Sequence, residues 1–143
     1  MSSSDNIEKL RRLLTRAFSQ GDYSVLDELV APDYIEHQNG IQGVGPEAVR
    51  RTASGLRASF PDLSLEIQDA IASEDTVWVR VRGQGTDTGG VAGRPPSGRR
   101  IEVDVVDIVR FRDGLMSEHW GVADRLGMLQ QVGVAPTPGR QAA

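Results

Sequence analysis

Two aspartates in the C-terminal third, Asp107 and Asp124, and one histidine, His37, are the side chains whose types and surroundings suit proton transfer. Asp107 interrupts an apolar run of period two, in which Ile101, Val103, Val105, Val109 and Phe111 share one strand face. An unpaired carboxylate is costly to bury there. Either Asp107 reaches water or a buried arginine, or this face lines a cavity whose apolar wall suits a carboxylate to proton transfer. Asp124 follows Trp120 and Val122 at alternating spacing, so the three share a face if the strand extends that far. Standing just before Arg125-Leu126, it is also in the position where aspartate caps a helix. His37 offers an imidazole titrating near neutrality, though a lone histidine is more often packed or exposed than catalytic. Tyr34 and Gln38 are possible donors to a carbonyl or enolate oxygen, or are satisfied locally. His119 adjoins Trp120, points away from it in a regular strand, and is expected to be structural or part of a subunit contact.

The remaining composition excludes more than it suggests. A net charge of −4 and a pI near 5.1 give no reason to expect nucleic acid or an anionic membrane as partner. There is no cysteine, which removes disulfides, thiolate nucleophiles and cysteine metal sites. Two histidines make a dedicated metal site unexpected. No G-x-S-x-G, phosphate loop or dinucleotide fingerprint occurs. The N-terminal stretch is polar, and no apolar run approaches the ~20 residues that span a bilayer, so a cytoplasmic location is the expectation. A metal-free acid/base site is what remains.

The elements that must position these groups follow in order. Ser4 or Asp5, helped by Glu8, is expected to cap a first helix, along which Ile7, Leu10, Leu13, Leu14, Ala17 and Phe18 follow helical spacing. Gly21 stops it, and Tyr23 to Leu29 forms a second short helix. The segment 33–38 is extended and a glycine-rich stretch, 40–45, follows. Pro46 opens a helix running to about Phe60. Leu63, Leu65 and Ile67, then Val77, Val79 and Val81, mark strands around a turn at Glu74-Asp75. Segment 84–98, rich in Gly, Pro and Thr, is expected to be a flexible loop. The strongest strand, 101–111, meets its partner, 115–122, through the hairpin dipeptide Asp113-Gly114. A short helix over 125–132 and a frayed tail, 135–143, complete the chain. Helices followed by antiparallel strands indicate a single α+β domain over 1–143, with an ordered core of about 5–134. A curved sheet capped by helices leaves a conical pocket.

The order D-Y-I-E-H, G-x-x-G-x-E-A-V-R, F-P-D-L, then I-V-R-F-R-D-G-L-M-S-E-H-W-G-V-A-D-R-L-G-M-L-Q-Q-V-G, resembles the SnoaL-like polyketide cyclases, part of the wider group named after nuclear transport factor two. The resemblance runs from about Ile7 to Gly133, and the ending E-H-W-x-x-x-D-x-x-G-x-L-Q-Q-x-G is its most specific part. It implies a cone in which a strongly curved mixed or antiparallel sheet wraps the N-terminal helices. It also implies a homodimer through the outer sheet face, no cofactor and no metal. The implied chemistry is aldol ring closure of a polyketide-like ester, or closure of other rings by acid/base pairs or pericyclic steps. Carried onto this chain, Asp124 becomes the first candidate base, with Asp107 and His37 as pocket partners. Tyr34, Gln38, Trp78, Trp120, Phe60 and Val105 become candidate substrate-binding residues, the two tryptophans as flat apolar walls. A binding module for a small hydrophobic ligand, and an epoxide hydrolase or isomerase, are the alternatives on the same fold. The 83–98 loop, with Arg94-Pro95-Pro96, departs from the family pattern and suggests a different access to the pocket.

Overall fold

Ser2, rather than Ser4 or Asp5, starts the first helix. In the computed structural model, which describes residues 2–38, 43–137 and 139, Ser2 Oγ accepts from the Asp5 amide at 3.2 Å and the Asp5 carboxylate accepts from the Ser2 amide at 3.3 Å. This reciprocal cap satisfies two otherwise orphaned donors. Helix α1 (Ser3–Leu13) continues as a π-helical turn over Leu14–Ser19, and their apolar stripe, Leu10, Leu13, Leu14, Ala17 and Phe18, is buried. A short turn at Tyr23–Val25 leads into α2 (Leu26–Leu29), and strand β1 (Val30–Glu36) follows. Helix α3 (Pro46–Ser59) begins with proline in its first turn, as expected.

Strands β2 (Ser64–Ser73), β3 (Thr76–Thr86), β4 (Arg100–Arg112) and β5 (Leu115–Ala123) precede the closing helix α4 (Arg125–Gln131). The sheet order is β1-β5-β4-β3-β2, with β1 parallel to β5 and every other pair antiparallel. The fold is therefore α+β with an open mixed sheet, as expected. Its inner face carries Val77, Val79, Val81, Val109 and Phe111 into the core against the helices. No helix among the described residues is long and apolar enough to cross a membrane.

The segment expected to be a flexible loop is shorter and better anchored than its composition suggests. Strand β3 runs on to Thr86. Asp87, only 1% exposed, then accepts from the Gly90 amide at 2.9 Å, the Ser97 amide at 2.9 Å and Ser97 Oγ at 2.7 Å. Gly89 donates its amide to the Ser59 carbonyl at the end of α3, and Val91 is buried. One carboxylate thus collects donors that a Gly- and Pro-rich turn would leave unpaired. The expected glycine-rich stretch and frayed tail lie partly outside the described residues.

One irregularity in the β4–β5 hairpin decides which side chains face inward. Asp113 and Gly114 both take positive φ, 53° and 78°, as a two-residue hairpin turn requires. Pairing starts Arg112 to Leu115 and Phe111 to Met116, but then shifts so that Arg110 faces Glu118. Ser117 is the extra residue; it is buried and donates its hydroxyl to the Arg110 carbonyl at 3.1 Å. Such a bulge reverses the faces of every residue beyond it. Val109 therefore opposes His119, Asp107 opposes Gly121, and Trp120 pairs with the outward Ile108.

Candidate active site

The concave side of the sheet and the helices enclose a cavity of about 960 Å³, at the upper end of what small-molecule sites occupy. Most of its wall is apolar, with Leu13, Leu14 and Phe18 from the N-terminal helix and its π turn, Phe60 after α3, and Val105 and Val109 from β4. Five polar side chains, Tyr34, Glu36, Gln38, Asp107 and His119, cluster at its inner end. β1 and β4–β5 supply them from positions far apart in the chain.

Alternation along β1 turns Tyr34, Glu36 and Gln38 to the cavity, while Ile35 and His37 point outward and are exposed. Tyr34 donates its hydroxyl to Glu36 Oε2 at 2.7 Å, and the Gln38 amide donates to Glu36 Oε1 at 2.9 Å. His119 lies between two carboxylates: Nδ1 is 2.7 Å from Glu36 Oε1 and Nε2 is 2.7 Å from Asp107 Oδ1. Ionised carboxylates accept only, so both ring nitrogens must carry protons and His119 is an imidazolium. Burial disfavours that charge, but hydrogen bonding and attraction from Asp107 and Glu36 outweigh it and raise the pKa from 6.5 to about 9. Burial also pushes the Glu36 carboxyl up, and His119 with Tyr34 more than reverses this, leaving it below its ordinary value. The Tyr34 phenol is raised well above its usual range by burial and by the adjacent Glu36.

Asp107 is buried, and only its Oδ1 has a hydrogen-bond partner among the described residues; Oδ2 remains available on the cavity side. Gly121 makes this possible. A Cβ there would stand 2.5 Å from Gln38 Oε1, 2.8 Å from His119 Cε1 and 2.9 Å from Asp107 Oδ1, each closer than real contacts allow. The missing side chain lets three functional groups converge on one point.

The expected site residues divide by position. Asp107, Tyr34, Gln38, Phe60 and Val105 all line the cavity. For Tyr34 the local alternative holds: its proton is committed to Glu36 rather than free for a ligand. Asp124 also lines the cavity, but at its exposed mouth, where Oδ1 accepts from the Gly127 amide at 2.9 Å and caps α4. Its helix-cap role is thus present together with its pocket position.

Three expectations are corrected. His37 does not line the cavity; it faces outward, stacks on Trp120 with ring centroids 4.7 Å apart and meets Glu118 at 2.8 Å. Trp120 is on the outer face because the Ser117 bulge puts it there, under the Arg110 guanidinium at 5.2 Å. Trp78 is 50% exposed on the same outer face, opposite Ile108, so neither tryptophan forms a pocket wall. Conversely, His119 and Glu36 belong to the site although neither was expected there. The signal for Glu36 was available, since period two ties it to Tyr34; the signal for His119 was masked by the bulge.

Comparison with known proteins agrees with this fold. Residues 8–132 match the SnoaL-like polyketide cyclase family. The nogalonic acid methyl ester cyclase of Streptomyces nogalater is 28% identical over 124 residues, spanning 84% of this chain and 92% of that protein. An aklanonic acid methyl ester cyclase of Streptomyces sp. strain C5 is 28% identical over 143 residues, spanning 94% of this chain and 86% of that protein. Among solved structures, TsrD from Streptomyces laurentii superposes with a TM-score of 0.86 at 29% identity, covering 94% of this chain and 99% of its own.

Proposed function

The chain belongs to the SnoaL-like polyketide cyclase family, and from that premise we propose that it closes a ring in a polyketide-like intermediate by aldol addition, with Asp107 as the base. The observation that carries this reading is the buried Asp107 carboxylate, held through one oxygen by an imidazolium and open through the other to a large apolar chamber.

Asp107 removes a proton from a substrate carbon flanked by carbonyls, and the C–H electron pair becomes the enolate. The enolate carbon then attacks a ketone carbon of the same molecule, forming one carbon–carbon bond while the carbonyl pair moves to oxygen. The alkoxide recovers the proton from Asp107, so the step balances within substrate and carboxyl group and needs no cofactor. His119 has both nitrogens engaged, so it acts as a positioning residue: it orients Asp107 and puts a fixed positive charge beside the developing anion. Gln38 lines the cavity beside Asp107, and its side-chain NH2, once turned toward the ligand, is the donor this reading assigns to the enolate oxygen. The apolar walls hold the chain folded so that its reacting carbons meet.

Asp124 stands second as base in this reading, because its carboxylate is exposed and already occupied in capping α4. The same reading pairs two copies through the outer sheet face, where Trp78, Val106 and Val122 expose apolar surface; sedimentation of Trp78→Glu against the parent chain tests that association.

The substrates named for the relatives, aklanonic and nogalonic acid methyl esters, are the first to supply. Ring closure followed by mass spectrometry and chromatography should fall by about two to four orders of magnitude in Asp107→Asn, the range of general base contributions. The same variant should lose exchange of the acidic substrate proton with deuterated solvent. Undiminished closure and exchange would remove Asp107 as the base and leave a chamber that acts by shape.

A further inference from the structure

The cavity wall carries charge of both signs, and two arginines supply most of the positive part. Arg51 on α3 and Arg125 at the start of α4 both line the cavity, and both are exposed. Most other arginines are engaged: Arg12 with Glu28, Arg50 with Glu47, Arg80 with Asp69, and Arg57 with the Phe18 and Ser19 carbonyls. Arg51 and Arg125 have no acid, carbonyl or ring partner among the described residues. Arg125 is also poorly placed for the helix it begins, since a helix N-terminus favours negative charge. Local structure gives neither guanidinium a role, yet both border the cavity that holds Asp107.

At the inner end, two carboxylates, Asp107 and Glu36, face a single imidazolium, so the net charge is negative. Among the exposed residues of the lining, the charged ones are two guanidiniums and a single carboxylate, Asp124, so the net charge there is positive. An anionic group is repelled from the first set and attracted to the second. We propose that Arg51 and Arg125 select a substrate bearing a carboxylate at the end remote from the reacting carbon, and that this contact sets which end of the substrate reaches Asp107. The inference rests on the cyclase reading and deepens it by naming the substrate class. The carbon that loses its proton still lies among neutral carbonyls; the anionic group is a second one, kept at the mouth. Guanidinium suits this task because its planar fork meets a carboxylate with paired hydrogen bonds.

A matched pair of planar probes tests it by binding alone: a dihydroxyanthraquinone carboxylic acid (rhein) and its methyl ester, titrated by absorbance or calorimetry near neutral pH. The acid should bind the parent protein about tenfold more tightly than the ester, the scale of one retained charge-assisted contact. The preference should shrink as salt rises. It should vanish in Arg51→Gln/Arg125→Gln and return in part in Arg51→Lys/Arg125→Lys, which keeps charge but loses the fork. Equal binding of acid and ester by the parent, or a preference that survives the double glutamine variant, overturns the inference while leaving the cyclase reading intact. If neither probe binds, the inference fails together with the reading of the chamber as a site for planar polyketide-like ligands.

Discussion

Raising the pH through the alkaline range should destabilise this protein through one residue, His119. Its folded-state pKa is raised from 6.5 to about 9: burial opposes the charge, and Asp107 and then Glu36 more than compensate. A raised pKa means that the folded chain holds the proton more tightly than the unfolded chain does. The resulting stabilisation is fully present below pH 6.5 and is lost as pH climbs through 9. The separation of the two values corresponds to roughly 3 kcal/mol, a substantial part of the stability of a domain this size. Chemical denaturation at steps from about pH 6 to about pH 10 should show that decline, and His119→Gln should flatten it. The background is favourable, since the chain has no cysteine and a single lysine, Lys9. NMR of the imidazole carbons gives the site-specific answer, with His37 as an internal comparison. A His119 midpoint at or below 6.5, or stability that rises between neutral and alkaline pH, would refute the imidazolium and the orientation it imposes on Asp107.

Three further outcomes test neighbouring parts of the argument. Asp124→Ser keeps an oxygen for the Gly127 amide but removes the carboxylate, so it should retain helix stability and turnover within about fivefold; a loss of about a hundredfold or more would restore Asp124 as the base. Gly121→Ala places a methyl group within 3.0 Å of Gln38, His119 and Asp107, and should cost about 1–3 kcal/mol in thermal unfolding while reducing kcat more than it raises KM. Asp87→Ala strands the Gly90 and Ser97 donors in a part-buried loop, and should cost about 1–3 kcal/mol with faster amide exchange confined to 88–98; unchanged exchange there would show that the loop does not depend on that carboxylate.

Local patterns in the sequence carried the elements well because each rests on a short-range rule. The alternation from Ile101 to Phe111, the Asp113-Gly114 turn and Pro46 at the start of α3 all act within a few residues, and all appear where those rules place them. Asp107 was visible for the same reason, as a charge breaking an apolar alternation. The rest of the site depends on contacts between distant segments. Glu36 and His119 are separated by 83 positions, and no local rule pairs them. Parity is the deeper difficulty. A regular hairpin from Asp113-Gly114 would set Trp120 opposite Asp107, making the tryptophan a cavity wall and turning His119 outward. One inserted residue, Ser117, reverses that, and its hydroxyl closes on the Arg110 carbonyl that the bulge leaves behind. The same residue thereby moves Trp120 to the outer face, brings His119 to Asp107, and sets the side-chain-free Gly121 where bulk would close the site. The chemistry attributed to this chain therefore depends on a bulge that touches none of the reacting groups.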